Sequence, residues 1–458
     1  MGSLAGLLRS KGHHVTGSDE NVYPPMSTLL QELGIQYSEG YSPENLDPVP
    51  DVVVVGNAIS RGNPELEAVL NRKITYTSAA SVIREEMLRG RHSMAVAGTH
   101  GKTTTTSILA WIMESAGLNP SFLIGGVAEN FGTSFRLTDS DYFVIEADEY
   151  DTAYFDKGPK MWHYLPDTAI VNNIEFDHAD IYRDEEAYRF AFARFINLVP
   201  GNGTLIAGWD SPIVRELAPQ TFSRLESFGY GEEAGSDQPF WSADRVEFGT
   251  STTRFRVLRE GQVWGEVETP LAGSFNVRNC LAAIAAASAV GADPEGIREG
   301  LRTFLSVRRR MELRGEVAGV TVIDDFAHHP TAVRETLQAA RQRFGERPLV
   351  ALFEPRSYTA QRREFQEEYR RAFADAETVI LAGLFHPERY TSETGMDPDA
   401  LVESLRSDGK TADYIPNVDE IVTLLGQRLR GDEVVLVMSN GGFGGIHQRL
   451  LDELGKRA

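Results

Sequence analysis

Uninterrupted apolar runs alternate along this chain with segments whose apolar positions recur at intervals of three and four. That pattern predicts buried parallel strands joined by amphipathic helices, an α/β fold. Residues 1–92 give short α/β units: a helix over Ser3–Leu8, a strand at His14–Thr16 ending in Gly17-Ser18-Asp19, and a buried parallel strand within Asp51–Gly56. A doubly wound half normally opens with a strand and a glycine-rich turn. This region opens on a helix, so that first strand is expected to lie upstream of the sequence given.

Residues 93–306 start with a strand, Ser93–Ala97, followed by a glycine turn and a helix, Thr103–Ser115. Strands follow at Tyr142–Glu146 and Ala169–Asn173. A stretch rich in β-branched and aromatic residues, around 240 to 270, reads as antiparallel strands. In residues 307–458, strands at Val320–Asp324, Leu349–Phe353, Val379–Ala382 and Val434–Met438 alternate with helical patterns, a second mostly parallel array. The pattern therefore divides the chain into three domains, 1–92, 93–306 and 307–458.

Composition agrees and narrows the class. A chain of 458 residues with 41% hydrophobic content exceeds one core and can build several. The formal net charge of −21 disfavours nucleic acid as the main partner. No apolar run approaches the ~18 residues of a membrane span, and no signal peptide is evident, so a cytoplasmic protein is expected. The single cysteine, Cys280, lies in an Ala-rich stretch and reads as a small core residue rather than a nucleophile.

Chemistry concentrates at strand ends. Gly98-Thr99-His100-Gly101-Lys102-Thr103-Thr104 sits between a strand and a helix, where backbone N–H groups at a helix N-terminus cradle phosphate. Lys102 is placed for the β- and γ-phosphates, and a hydroxyl from Thr103 or Thr104 for Mg²⁺. The loop departs from the common pattern, with Val96 at the position of the first glycine. Glu146-Ala147-Asp148-Glu149 follows one strand and Asn172-Asn173-Ile174-Glu175-Phe176-Asp177-His178 another. Carboxylate and imidazole groups there are placed to hold a cation beside the phosphates. Asp19, just past a strand end, is either a ribose contact or part of a simple turn.

These three motifs, in this order, resemble the Mur ligases of peptidoglycan synthesis. Gly273-Ser274-Phe275-Asn276-Val277-Arg278-Asn279, Arg309-Arg310-Met311-Glu312 and Asp324-Asp325-Phe326-Ala327-His328-His329-Pro330 extend the resemblance over nearly the whole chain. It implies an N-terminal UDP-sugar-binding domain, a central ATP-binding domain and a C-terminal domain for peptide and nucleotide. The activity implied is ATP-dependent ligation through an acyl phosphate, with Mg²⁺. Lys102, His178, Arg310 and Glu146 are the implied catalytic groups, with Thr103, Thr104, Glu146 and His178 on the metal. ATP is expected on Gly98 to Thr104, Asn276, Asn279, Arg310, Asp325 and His328. Substrate is expected on Asp19, Asn57, His329 and Arg356. His329-Pro330 also reads as a plain helix cap, and Arg356 as part of a surface turn.

Within the family the double-His motif points to the branch that uses UDP-N-acetylmuramate. Three segments look like the recycling member that adds the murein tripeptide L-alanyl-γ-D-glutamyl-meso-diaminopimelate: Glu149 to Lys157, Asn57 to Asn63, and Ser439 to His447. So does Tyr23-Pro24-Pro25-Met26-Ser27-Thr28. The alternatives are the L-alanine-adding ligase of de novo synthesis and a P-loop ATPase without ligase activity. Several family members carry a carbamylated lysine on the helix after the Asp-His motif. Here Glu185–Asn197 contains no lysine, and Phe192 stands at the aligned position, so no carbamate is expected.

Overall fold

A computed structural model describes residues 1–23, 26–177, 181–231, 238–391 and 393–457. Pro24 and Pro25 of the Tyr23–Thr28 segment lie outside the described residues. Among the described residues the molecule is built on one ten-stranded and one six-stranded sheet, with two small parallel pairs at the N-terminal end and one antiparallel pair, Asp151–Ala153 with Asp156–Pro159.

The N-terminal region starts with the helix Gly2–Ser10 and carries two strand pairs, Thr16–Asp19 with Gln36–Glu39 and Val53–Val55 with Tyr76–Ser78. The first strand lies two residues later than the apolar pattern suggests, because Thr16 to Asp19 pair through their backbones with little burial. The Val53–Val55 strand is only partly covered, and Val52 is exposed. Its apolar run indicates strand correctly, but few elements pack over it.

The large sheet has the order Gln262–Thr269, Thr253–Arg259, Trp241–Phe248, Arg224–Gly229, Thr204–Gly208, Thr168–Val171, His92–Ala97, Tyr142–Glu146, Ser121–Ala128, Thr133–Arg136. Neighbours from Trp241–Phe248 through Ser121–Ala128 are parallel, and the three pairings outside that run are antiparallel. Both faces are buried, which explains the unbroken apolar runs. Met94 and Val96 face one core with the helices Lys102–Ser115 and Ser274–Ala289, while Ala95 and Ala97 face the other. Cys280 belongs to the first core and is fully buried. Burial pushes its thiol up to about 12, as expected of a packing residue.

The C-terminal sheet has the order Glu312–Val317, Val320–Asp325, Val434–Met438, Leu349–Phe353, Thr378–Leu381, Thr411–Tyr414. Only Glu312–Val317 runs antiparallel. This edge strand and the other edge, Thr411–Tyr414, escape the apolar pattern because each is partly exposed. Among the described residues no helix is long and apolar enough to cross a membrane.

Candidate active site

Topology places three polar loops side by side. The strand His92–Ala97 lies between Tyr142–Glu146 and Thr168–Val171, parallel to both, with Val96 opposite Glu146 and Ala97 opposite Val171. The phosphate loop, the acidic segment and the Asn172–Asp177 segment therefore leave the same sheet edge, the usual ligand edge of an open parallel sheet. Gly98 and Gly101 both take positive φ. A side chain on Gly101 would meet Asn279 Oδ1 at 2.6 Å, and one on Gly98 would crowd Asn172. These positions need glycine for conformation and for space.

Lys102 opens the helix after this loop. Its ammonium donates to the carbonyls of Gly98 at 2.7 Å and Thr99 at 3.3 Å and pairs with Glu149 Oε2 at 2.7 Å. Glu149 is fully buried and also accepts from Tyr188 Oη. Burial works against the charge on Lys102, but Glu149, then Asp148 and Glu146, outweigh it and hold its pKa above the ordinary value. The loop thus keeps a fixed cation where phosphates would bind. Glu149 had no role assigned from the sequence. Its local signal is the second glutamate of Glu146-Ala147-Asp148-Glu149, three residues from the first.

Glu146 accepts from Thr103 Oγ1 at 3.0 Å and from the backbone N–H of Gly125 at 2.7 Å. Burial raises its carboxyl pKa, a cost that a nearby cation relieves. The Thr103 hydroxyl and the Glu146 carboxylate converge beside the phosphate loop, and both are hard oxygen donors. That set fits Mg²⁺, which binds oxygen and completes its shell with phosphate oxygens and water. Thr104 is buried one residue further on, with no side-chain hydrogen bond to Glu146. His178 lies outside the described residues.

The C-terminal domain reaches this site. Arg310 Nη2 lies 3.4 Å from Thr103 Oγ1, and its guanidinium rests on Phe326, 4.7 Å from the ring centroid. Burial lowers its pKa, partly offset by Asp325 and Glu146. Asp325 accepts from the N–H groups of Met311 and Ala327, each at 2.8 Å, and from Thr336 Oγ1 at 3.2 Å. Asp325 therefore pins the turn that presents Arg310. Arg309 points back into its own domain, onto the carbonyls of Ser439 and Gly441.

The two histidines diverge. His328 Nδ1 bonds the Phe326 carbonyl at 3.0 Å, and the His328 carbonyl accepts from Tyr369 Oη. His329 caps the helix Pro330–Phe344 by accepting from Thr331 N–H at 3.4 Å. Its ring also lies 4.8 Å from the ring of His100 in the phosphate loop. Burial, with His100 next, depresses the His329 pKa to about 3. Capping and site contact are thus combined in one residue. His100, Glu175 and His329 bring ligand-type atoms within 4.8 Å of one another.

A cleft beside the loop is lined by Gly101, Asn173, Phe275, Arg278, Asn279 and Glu335. Asn279 Oδ1 accepts from Thr105 Oγ1 at 3.1 Å, and its Nδ2 donates to Asn276 Oδ1. Asn276 stands behind it, donating to the Ala272 carbonyl. Asp19 and Asn57 are exposed at strand ends of the N-terminal region, and no side-chain hydrogen bond among the described residues ties either to the phosphate loop. Arg356 follows the strand Leu349–Phe353, its guanidinium 3.9 Å from the Phe385 ring centroid.

Three family models match the chain in succession: Mur ligase family, catalytic domain, over residues 1–91; Mur ligase middle domain over 96–287; and Mur ligase, glutamate ligase domain, over 309–441. The UDP-N-acetylmuramate--L-alanyl-gamma-D-glutamyl-meso-2,6-diaminoheptandioate ligase of Escherichia coli is 44% identical over 100% of this chain and 96% of its own length. The UDP-N-acetylmuramate--L-alanine ligase of an Anaeromyxobacter species is 35% identical over 98% and 94%. A solved murein peptide ligase from Psychrobacter arcticus is 36% identical with a TM-score of 0.72, covering 99% of this chain and 96% of its own.

Proposed function

The chain belongs to the Mur ligase family, and on that premise we propose that it joins UDP-N-acetylmuramate to L-alanyl-γ-D-glutamyl-meso-diaminopimelate at the expense of ATP, as a cytoplasmic enzyme of murein recycling. One observation carries the choice of acceptor. Identity to the tripeptide ligase, 44%, exceeds that to the L-alanine ligase, 35%, at nearly equal coverage.

A carboxylate is a poor electrophile for an amine. In the reaction, an oxygen of the lactyl carboxylate bonds to the γ-phosphorus of ATP, and ADP leaves. The tripeptide's neutral α-amine then attacks the acyl carbon. The tetrahedral adduct expels inorganic phosphate, and the amine nitrogen gives up its proton. Two anions must approach in the first step, so charge neutralisation is the protein's main contribution. Lys102 holds a positive charge at the loop, fixed by Glu149 and two carbonyls. Arg310 brings a second from the C-terminal domain. The N–H groups after Gly101 take phosphate oxygens. Thr103 and Glu146 would hold Mg²⁺, which supplies further neutralisation when bound. The adenine would occupy the cleft at Asn279, backed by Asn276.

The test is phosphate release from ATP and Mg²⁺ with UDP-N-acetylmuramate, comparing the tripeptide with L-alanine. Release that requires both the sugar nucleotide and the tripeptide is expected. Release with L-alanine alone as acceptor would move the protein to the alanine branch. Release without any acceptor would reduce it to an ATPase.

A further inference from the structure

One carboxylate bridges the phosphate loop and the C-terminal domain. The backbone of Glu175 is clamped to the loop: its N–H donates to Thr99 Oγ1 at 2.9 Å, and its carbonyl accepts from the same hydroxyl at 3.0 Å. Its side chain turns outward. Oε2 accepts from Thr331 Oγ1 at 2.7 Å, and lies 3.3 Å from His100 Nε2 and 3.7 Å from His329 Nδ1. Thr331 is in the first turn of the helix Pro330–Phe344, where the helix dipole favours a negative charge. The loop that must wrap a triphosphate and the helix that follows the Arg310-pinning Asp325 thus share one carboxylate oxygen, beside the contact of the His100 and His329 rings.

Arg278 and Glu335 form an ion pair one helical turn further along the same contact. That pair joins the Ala-rich helix to the C-terminal domain without touching the loop. Glu175 differs because its partner His100 belongs to the loop itself, and the backbone N–H of His100 is fixed by Asn173 Oδ1 at 2.8 Å.

We infer that Glu175 is a positioning residue that couples the phosphate loop to docking of the C-terminal domain, acting through His100 on one side and Thr331 on the other. A loop ordered around phosphate holds the His100 ring, and the ring holds the carboxylate where Thr331 meets it. The docked domain then sets Arg310 against Thr103. Coupling of this kind is reciprocal: whatever favours docking also tightens the loop on its nucleotide.

The inference rests on the ligase reading for its kinetic arm and not for its scattering arm. Two variants, Glu175→Gln and Thr331→Val, remove the link from opposite sides. Thr331→Val conserves shape and leaves the loop untouched, so it serves where the first variant fails to fold. Each is expected to lower kcat about tenfold and to raise KM for ATP several-fold, since the uncoupled loop holds its nucleotide less tightly. The double variant should fall no further than the worse single one, because one link is removed twice. Solution scattering should show compaction of the wild type on adding a non-hydrolysable ATP analogue, and its loss in both variants. Wild-type kcat and compaction in Thr331→Val, or additive losses in the double variant, would overturn the proposal. If the wild type shows no acceptor-dependent turnover, the ligase reading fails, while scattering still decides the coupling.

Discussion

The strand ends of the central sheet and of the C-terminal sheet share a parallel topology and differ in exposure. At the central edge, Lys102 pairs with Glu149, and Glu146 and Arg310 meet at the Thr103 hydroxyl, largely out of water. At the C-terminal edge, Arg356 lies on a part-exposed Phe385, and Arg389 lies on a part-exposed Tyr358, 5.2 Å from its ring centroid. Buried charges strengthen one another's fields and need exact partners, which suits a phosphoryl transfer common to a family. Guanidinium groups held on aromatic faces at a part-exposed edge, with Arg356 also 3.7 Å from Glu354 and Arg389 donating to the Tyr358 hydroxyl, stay within reach of solvent and of an incoming carboxylate.

The largest expected effect is at Lys102. Lys102→Ala should lower turnover by about 10³-fold in the phosphate-release assay. It should also cost about 3–5 kcal/mol in chemical denaturation, since Glu149 is left buried without its cation. Replacing both, as Lys102→Met with Glu149→Gln, should recover much of that stability and none of the turnover. Recovery of turnover would mean that the buried pair serves folding alone.

Arg310→Ala should reduce kcat about 10²-fold with the fold intact, because its guanidinium reaches the site across the domain junction. Arg356→Ala should raise KM for the peptide about tenfold, the cost of one charge-assisted contact, with KM for ATP unchanged. A change in KM for ATP there would erase the division of labour between the two edges.

A smaller effect is expected from pH. Burial alone would raise the Glu175 carboxyl, but His100, and then His329 and Thr331, outweigh it and bring its pKa from 4.5 to about 2. Its contribution to stability is therefore complete above pH 4.5 and fades as pH falls towards 2. His100 is shifted the other way: burial opposes its charge, but Glu175 raises its pKa above 6.5. That contribution is complete below pH 6.5 and fades as pH rises through the folded value. The difference in melting temperature between wild type and Glu175→Gln should therefore be widest between pH 4.5 and 6.5. The smallest effect is expected from bicarbonate. The helix Glu185–Ile196 has no lysine, and Phe192 is fully buried in the core, so added bicarbonate should leave turnover unchanged.

Much of this was legible in the chain because the central strands are covered on both faces, so their apolar runs are unbroken. The edge strands Glu312–Val317 and Thr411–Tyr414 were less legible, since each is partly exposed and leaves little apolar signature. Among site residues, Lys102, Glu146 and Thr103 stand in local motifs whose spacing states their chemistry. Glu149 and Glu175 stood in the same segments, but nothing local distinguishes a carboxylate that pairs with lysine from one facing solvent.

Sequence alone determined the fold class, the phosphate loop and the family, because backbone conformation and strand burial are written in short-range patterns. The resemblance already singled out Arg310; tertiary structure alone decided which histidine faces the loop, that Arg310 meets Thr103, and that one oxygen of Glu175 meets two domains. Those choices depend on side chains as far as 207 residues apart in sequence, as Thr103 and Arg310 are. Only packing of the two sheets brings such atoms within hydrogen-bond range.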